Sequence, residues 1–142
     1  MSITRDTRPP DPEQLAQRAK LDDLARALRQ THSALLEAVK ADFEKFNGPI
    51  GGPYHFFQLV TNDPFFQWLR PLSGMMAGLD ELIDEKRLLR PDEIAELRSG
   101  IQGLLEQTEV SGFGANFETR VRDSAAIANH RADVLRTLDV VS

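Results

Sequence analysis

The sequence predicts an all-α fold, an up-down bundle of four main helices with a proline-kinked second element. Three observations predict it. Apolar residues recur at steps of three, four or seven along most of the chain. Helix starts are marked by proline placed just after a polar residue, as in Asp11-Pro12, Asp63-Pro64 and Arg90-Pro91. No segment shows the valine- and isoleucine-rich alternation of a sheet.

The elements follow in order. Residues 1–10 read as a disordered tail closed by Pro9-Pro10, and residues 11–142 as a single helical-bundle domain. Asp11 caps the first helix and Pro12 suits its first position. Its stripe is Leu21, Leu24, Leu28, Leu35, Val39, Phe43 and Phe46, with Thr31-His32-Ser33 as the weakest point, a place for a break or bend. Asn47-Gly48-Pro49 ends it and Gly51-Gly52-Pro53 completes a loop. Tyr54–Asn62 is a short helix, with a strand as the rival reading of so short an apolar run. Asp63-Pro64 restarts a helix over Pro64–Leu69. Arg70 is biased toward extended backbone and Pro71 forces a kink before a longer helix from Leu72 to about Lys86. Pro91, followed by two acids, opens another helix with the stripe Ile94, Leu97, Ile101, Leu104 and Thr108. After a loop at Ser111–Gly114, a last helical region runs from about Ala115 to Leu138, and Asp123-Ser124 allows a bend within it. Phe117, Val121, Ala125, Ala128, Ala132, Leu135 and Leu138 form its expected inner face, with alanines that admit a close neighbour.

Between Tyr54 and Asp84 lie six of the ten aromatic residues: Tyr54, Phe56, Phe57, Phe65, Phe66 and Trp68. The two proline joints turn the chain so that these rings can share one core. Rings that cannot be buried would form an exposed patch of the kind that marks interfaces.

Composition narrows the function. At 142 residues and 41% hydrophobic, the chain can bury a core without a disulfide or metal staple. It has no cysteine, which removes thiol nucleophiles and thiolate metal sites and suits a reducing, cytoplasmic setting. Its start, MSITRDTRPPDPEQ, is polar and lacks the apolar core of a secretory signal, and no run approaches the roughly 18 apolar residues that span a bilayer. A net charge of −5 argues against nucleic acid as a partner. Arg120, Arg122, Arg131 and Arg136 are interleaved with Glu118, Asp123 and Asp133, the pattern of a solvated mixed-charge helix.

No convergent catalytic set emerges. The histidines, His32, His55 and His130, fall on separate segments. Asn129-His130-Arg131 weakly resembles the histidine–arginine pair of DinB-like helical metalloproteins, but Ala126 and Ile127 stand where the second histidine belongs. No Glu-x-x-His pair of the di-iron type exists. Asp80/Asp84 and Glu81/Glu85 are carboxylate pairs one turn apart, read as a solvated face. His32 falls on the first helix's apolar stripe, where a buried imidazole needs a partner because an unpaired polar group costs about 1–3 kcal/mol. Trp68, Arg70 or a carbonyl freed at Pro64 or Pro71 are its expected neighbours. Arg70 itself is placed to bridge freed carbonyls, pair with Asp63 or hold an anion.

The segment NDPFFQWLRPLS (62–73), with the LDELID that follows, resembles a family of small all-helical bacterial proteins carrying a DPxFxWLRPLS-like motif. HSALLEAVKADFEKFNGPI (32–50) is similar to that family's first helix and loop, and FGANFETRVRDSAAIANHRADV (113–134) to its C-terminal stretch, so the resemblance spans most of residues 30–135. Asp123-Ser124 stands where the family pattern has an acid–proline pair. The family has no established activity, so the resemblance implies an all-helical fold and a bacterial source and carries over no catalytic residue. The expected function is a non-enzymatic helical module that acts through a protein partner or as a homo-oligomer, without cofactor, nucleic acid or membrane. The alternative is a metal- or small-ligand-binding bundle built on His32, His130 and nearby polar residues. Candidate pocket or interface residues are His32, Phe65, Phe66, Trp68, Arg70 and His130.

Overall fold

A computed structural model describes residues 11–85, 87–106 and 112–141. The expected disordered tail (1–10) lies outside these residues, as do Lys86, Thr108 and Ser111. Among the described residues the chain is all-helical: α1 (Pro12–Asn47), α2 (Pro53–Asn62), α3 (Pro64–Gln67), α4 (Arg70–Asp84), α5 (Pro91–Glu106), α6 (Phe113–Asp123) and α7 (Ala125–Val140).

Helix α1 starts where Asp11 accepts a hydrogen bond from the Glu13 N–H at 2.9 Å. It stops at Gly48, whose φ of 81° favours glycine. At 1.5 Å per residue its length is about 54 Å. The Thr31-His32-Ser33 segment does not break it. Thr31 Oγ1 donates to the Ala27 carbonyl at 2.9 Å, so its hydroxyl is satisfied within the helix and Thr31 is fully buried. Thr31, not His32, therefore continues the stripe Leu21, Leu24, Leu28, Leu35 and Val39. Helix α7 packs along α1, with Thr31 reaching the His130 carbonyl at 3.5 Å. Asp42 of α1 pairs with Arg120 of α6. Helix α4 covers another side of α1, and α5 touches α4, α6 and α7.

The joint between α2 and α3 has the expected chemistry. Asp63 is extended and accepts from the Phe65 N–H at 2.9 Å, with Pro64 at the helix start. The next joint differs. Arg70 is helical, not extended, and Pro71 sits in the first turn of α4, where an N–H has no intrahelical partner to lose. Pro71 thus starts a helix instead of kinking one. The carbonyls left free at the end of α2 are also answered differently. Gln67 Nε2 donates to the carbonyls of Val60, Thr61 and Asp63 at 3.3, 3.1 and 3.2 Å. Arg70, exposed, adds only a 3.5 Å contact to the Thr61 carbonyl.

At the other end of α4, Gln17 of α1 exchanges two hydrogen bonds with the backbone of Leu89, pinning the loop to α1. Helix α5 begins with a carboxylate cap, since Glu93 accepts from the Arg90 N–H at 3.0 Å. A fork of two 2.7 Å bonds from Arg87 holds the Glu93 carboxyl down at about pKa 2. The bend at Asp123-Ser124 separates α6 from α7, with Ser124 Oγ accepting from the Ile127 N–H at 3.3 Å. Helix α6 starts at Phe113, earlier than Ala115. The inner face of α7 is Ile127, Val134 and Leu138, while Ala125 and Ala132 face solvent; the bend at Ser124 shifts the register, so no alanine seam forms.

Phe66 is the hub of the aromatic core. It is 1% exposed, with Phe43, Phe56 and Phe65 centred 5.6, 5.9 and 5.9 Å away. Phe66→Ala is expected to lower unfolding free energy by about 3–5 kcal/mol. Phe57→Ala, nine positions away on an exposed site, should change it by less than about 0.5 kcal/mol. Guanidinium unfolding of the two variants checks the contrast.

Candidate functional site

Two places combine candidate chemistry with access to solvent. The first is α2 with the end of α1. Among the described residues, α2 is the one helix that buries no side chain. Phe56, Leu59 and Val60 lean partly on the core, and the Lys40 ammonium lies 5.2 Å from the Phe56 ring centre. The opposite face carries Tyr54, 74% exposed, and Phe57, 67% exposed. Phe46, expected on the α1 stripe, is 76% exposed because the stripe outruns the helices that cover it. Each such ring forgoes about 1.5–3 kcal/mol of burial. No acidic or basic residue lies in α2, apart from His55. His55 is exposed, and its Nδ1 accepts the Gly51 N–H at 2.8 Å, which places its own proton on Nε2 and fixes the turn before α2.

The second place is His32. It is half-buried beside the stripe, and its Nε2 lies 3.0 Å from Ser73 Oγ in the first turns of α4. Burial holds its pKa below the ordinary value of 6.5, so the ring is neutral at pH 7. Its partner is therefore Ser73, not Trp68 or Arg70. Nothing local to Ser73 marks it; only the register of α4 on α1 brings the two together.

The other predicted residues scatter. Trp68 is half-buried and tilts against Phe113 at 5.6 Å, and Phe113 stacks on Phe117 at 5.3 Å. Phe65 stands at the rim of the aromatic core, edge-on to Phe43. Phe66 is inside it. His130 is half-buried on α7, with its carbonyl toward Thr31, while the His32 ring is engaged with α4. Among the described residues, no three His, Asp or Glu side chains stand close enough to hold a metal ion. Asp80, Glu81 and Asp84 on α4 and Glu85 at its C-terminal cap are exposed. Three of the four α6–α7 arginines are tied to acids, Arg120 to Asp42, Arg131 to Glu118 at 2.6 Å and Arg136 to Asp133 at 2.5 Å, which leaves Arg122 as the exposed cation of the set without an acid partner among the described residues. No helix among the described residues is long and apolar enough to cross a membrane.

The His32 environment sets a pH dependence. Its folded pKa is depressed, so as pH falls below 6.5 the unfolded chain takes up the proton first and stability declines. The decline levels off once pH is beneath the folded pKa. His32→Gln should flatten the stability profile between pH 7 and pH 5, as read by thermal melts across that range.

No protein-family model, curated protein or solved structure matches this chain.

Proposed function

We propose that the chain is a non-enzymatic helical module that works by association through the outer face of α2, with a second copy of itself as the occupant. The observation that carries this reading is a helix that fully buries no side chain yet presents Tyr54 and Phe57, with Phe46 exposed at the end of α1. Charge favours a like partner there. Each copy carries −5, so two copies repel over most of their surfaces, and α2 is free of acids and bases apart from His55. The three rings present on the order of 400 Å². A standard interface buries about 800 Å² per partner, so the expected dimer is weak and concentration-dependent.

The same reading takes α1, α4, α5 and α7 as an up-down four-helix bundle, with α2 and α3 as the proline-broken connection. The contacts Thr31–His130, His32–Ser73 and Gln17–Leu89 support that order. It places the protein in the cytoplasm, supported by the absence of cysteine. It also places the chain beside the small helical bacterial proteins that share the 62–73 motif, on the strength of NDPFFQWLRPLS.

Light scattering on the purified chain from about 10 to about 500 μM tests the association. The weight-average mass should climb from 15.9 kDa toward twice that value. Tyr54→Ser combined with Phe57→Ser should hold it at the monomer value without changing the melting temperature by more than a few degrees. A wild-type mass that stays at 15.9 kDa throughout would sink self-association.

A further inference from the structure

Helices α4 and α5 enclose an open groove of about 240 Å³, lined by Met75, Gly78, Leu79, Leu82, Leu97 and Gly100, with Glu93 and Glu96 at its edge. It shares no residue with α2. Enclosed small-molecule sites run from about 300 to 1,000 Å³, so this groove suits a few side chains presented along a rod more than a whole ligand. Its floor is aliphatic, and Met75 is an adaptable side chain. Its depth comes from two helical glycines. A Cβ at Gly78 would meet nothing within 4 Å, and one at Gly100 would meet only the Met75 methyl at 3.6 Å. Glycine is the poorest helix former after proline, and neither position gains internal packing in return.

The rim is acidic on both sides. Glu93 and Glu96 flank it on α5. Glu81, exposed, stands three positions after Gly78 on α4, and Glu85, also exposed, caps that helix's end; both border the lining residues without being among them. Arg87 answers Glu85 and Glu93. Among the described residues, Glu81 and Glu96 have neither an ion-pair nor a hydrogen-bond partner. A second copy, itself at −5, would bring like charge to this rim.

We infer that the α4–α5 groove docks an amphipathic helix of a partner protein, with leucine- or methionine-type anchors along one face and lysines or arginines beside them. The anchors would fill the space over Gly78 and Gly100, and the cations would meet Glu81 and Glu96.

Fluorescence anisotropy with the full chain tests this. The probe is a labelled 18-residue peptide of leucine and lysine in helical register, and the control is the same composition scrambled to remove the apolar face. The helical peptide should bind with a Kd on the order of micromolar and weaken at high salt, and the scrambled one at least about tenfold more weakly. Gly78→Leu, which projects into open space and keeps its helix by circular dichroism, should weaken binding about tenfold by filling the groove. Glu81→Lys with Glu96→Lys should weaken it by a similar factor and remove most of the salt dependence. Tyr54→Ser with Phe57→Ser should leave it unchanged, which separates this groove from the α2 surface. Equal binding of the scrambled peptide, or undiminished binding by folded Gly78→Leu, overturns the proposal.

Discussion

The continuity of α1 is the constraint on which the remaining packing depends. Helices α7, α4 and α3 all lean on it, and α5 and α6 are held through α4 and α7. That continuity rests on a local bond at the point where the helix is weakest by composition. Thr31 spends its hydroxyl on the Ala27 carbonyl, so a polar residue can lie in the core without leaving an unpaired donor. With Thr31 turned inward, His32 is rotated about 100° further round the helix, onto the flank where α4 and Ser73 await it. One hydroxyl thereby fixes the orientation of the neighbouring imidazole.

Much of the fold was legible because its signals are local. Asp11-Pro12, Asp63-Pro64 and Ser124 cap their helices through their own side chains, and Gly48 ends α1 in a conformation that favours glycine. Such features need no knowledge of distant residues. What could not be read depends on tertiary register. Pro71 is compatible with both a kink and a start, and packing of Leu69 and Leu72 into the core decides for a start. Gln67 binds three carbonyls only because α2 and α3 meet at one angle. The alanines of α7 lie on a plausible stripe, yet Arg131 and the Ser124 bend turn Ala125 and Ala132 outward. The candidate site was legible in part. The aromatic density around α2 was visible, but which rings emerge was not: Phe66 is buried while Phe46, Tyr54 and Phe57 are open.

The two proposed contact surfaces differ in chemistry, and the difference follows from where charge sits. Acids stand along the exposed sides of α4 and α5, as they do on α1, whereas α2 carries none. An uncharged aromatic face suits a like neighbour; an acid-rimmed aliphatic groove suits a basic one. A protein so arranged would present separate faces to itself and to others, without competition between them.

The hold that Gln67 keeps on α2 has a further consequence. A helix with no fully buried side chain is retained by the partial burial of Phe56, Leu59 and Val60 and by one amide bridging three carbonyls, so its local opening is expected to cost less than that of the α1-centred core. Bounded by Gly52 on one side and Asp63 on the other, it is expected to exchange its amides faster than the buried stripe of α1. Its aromatic face is thus carried on the helix that, among the described residues, has the least fully buried anchorage.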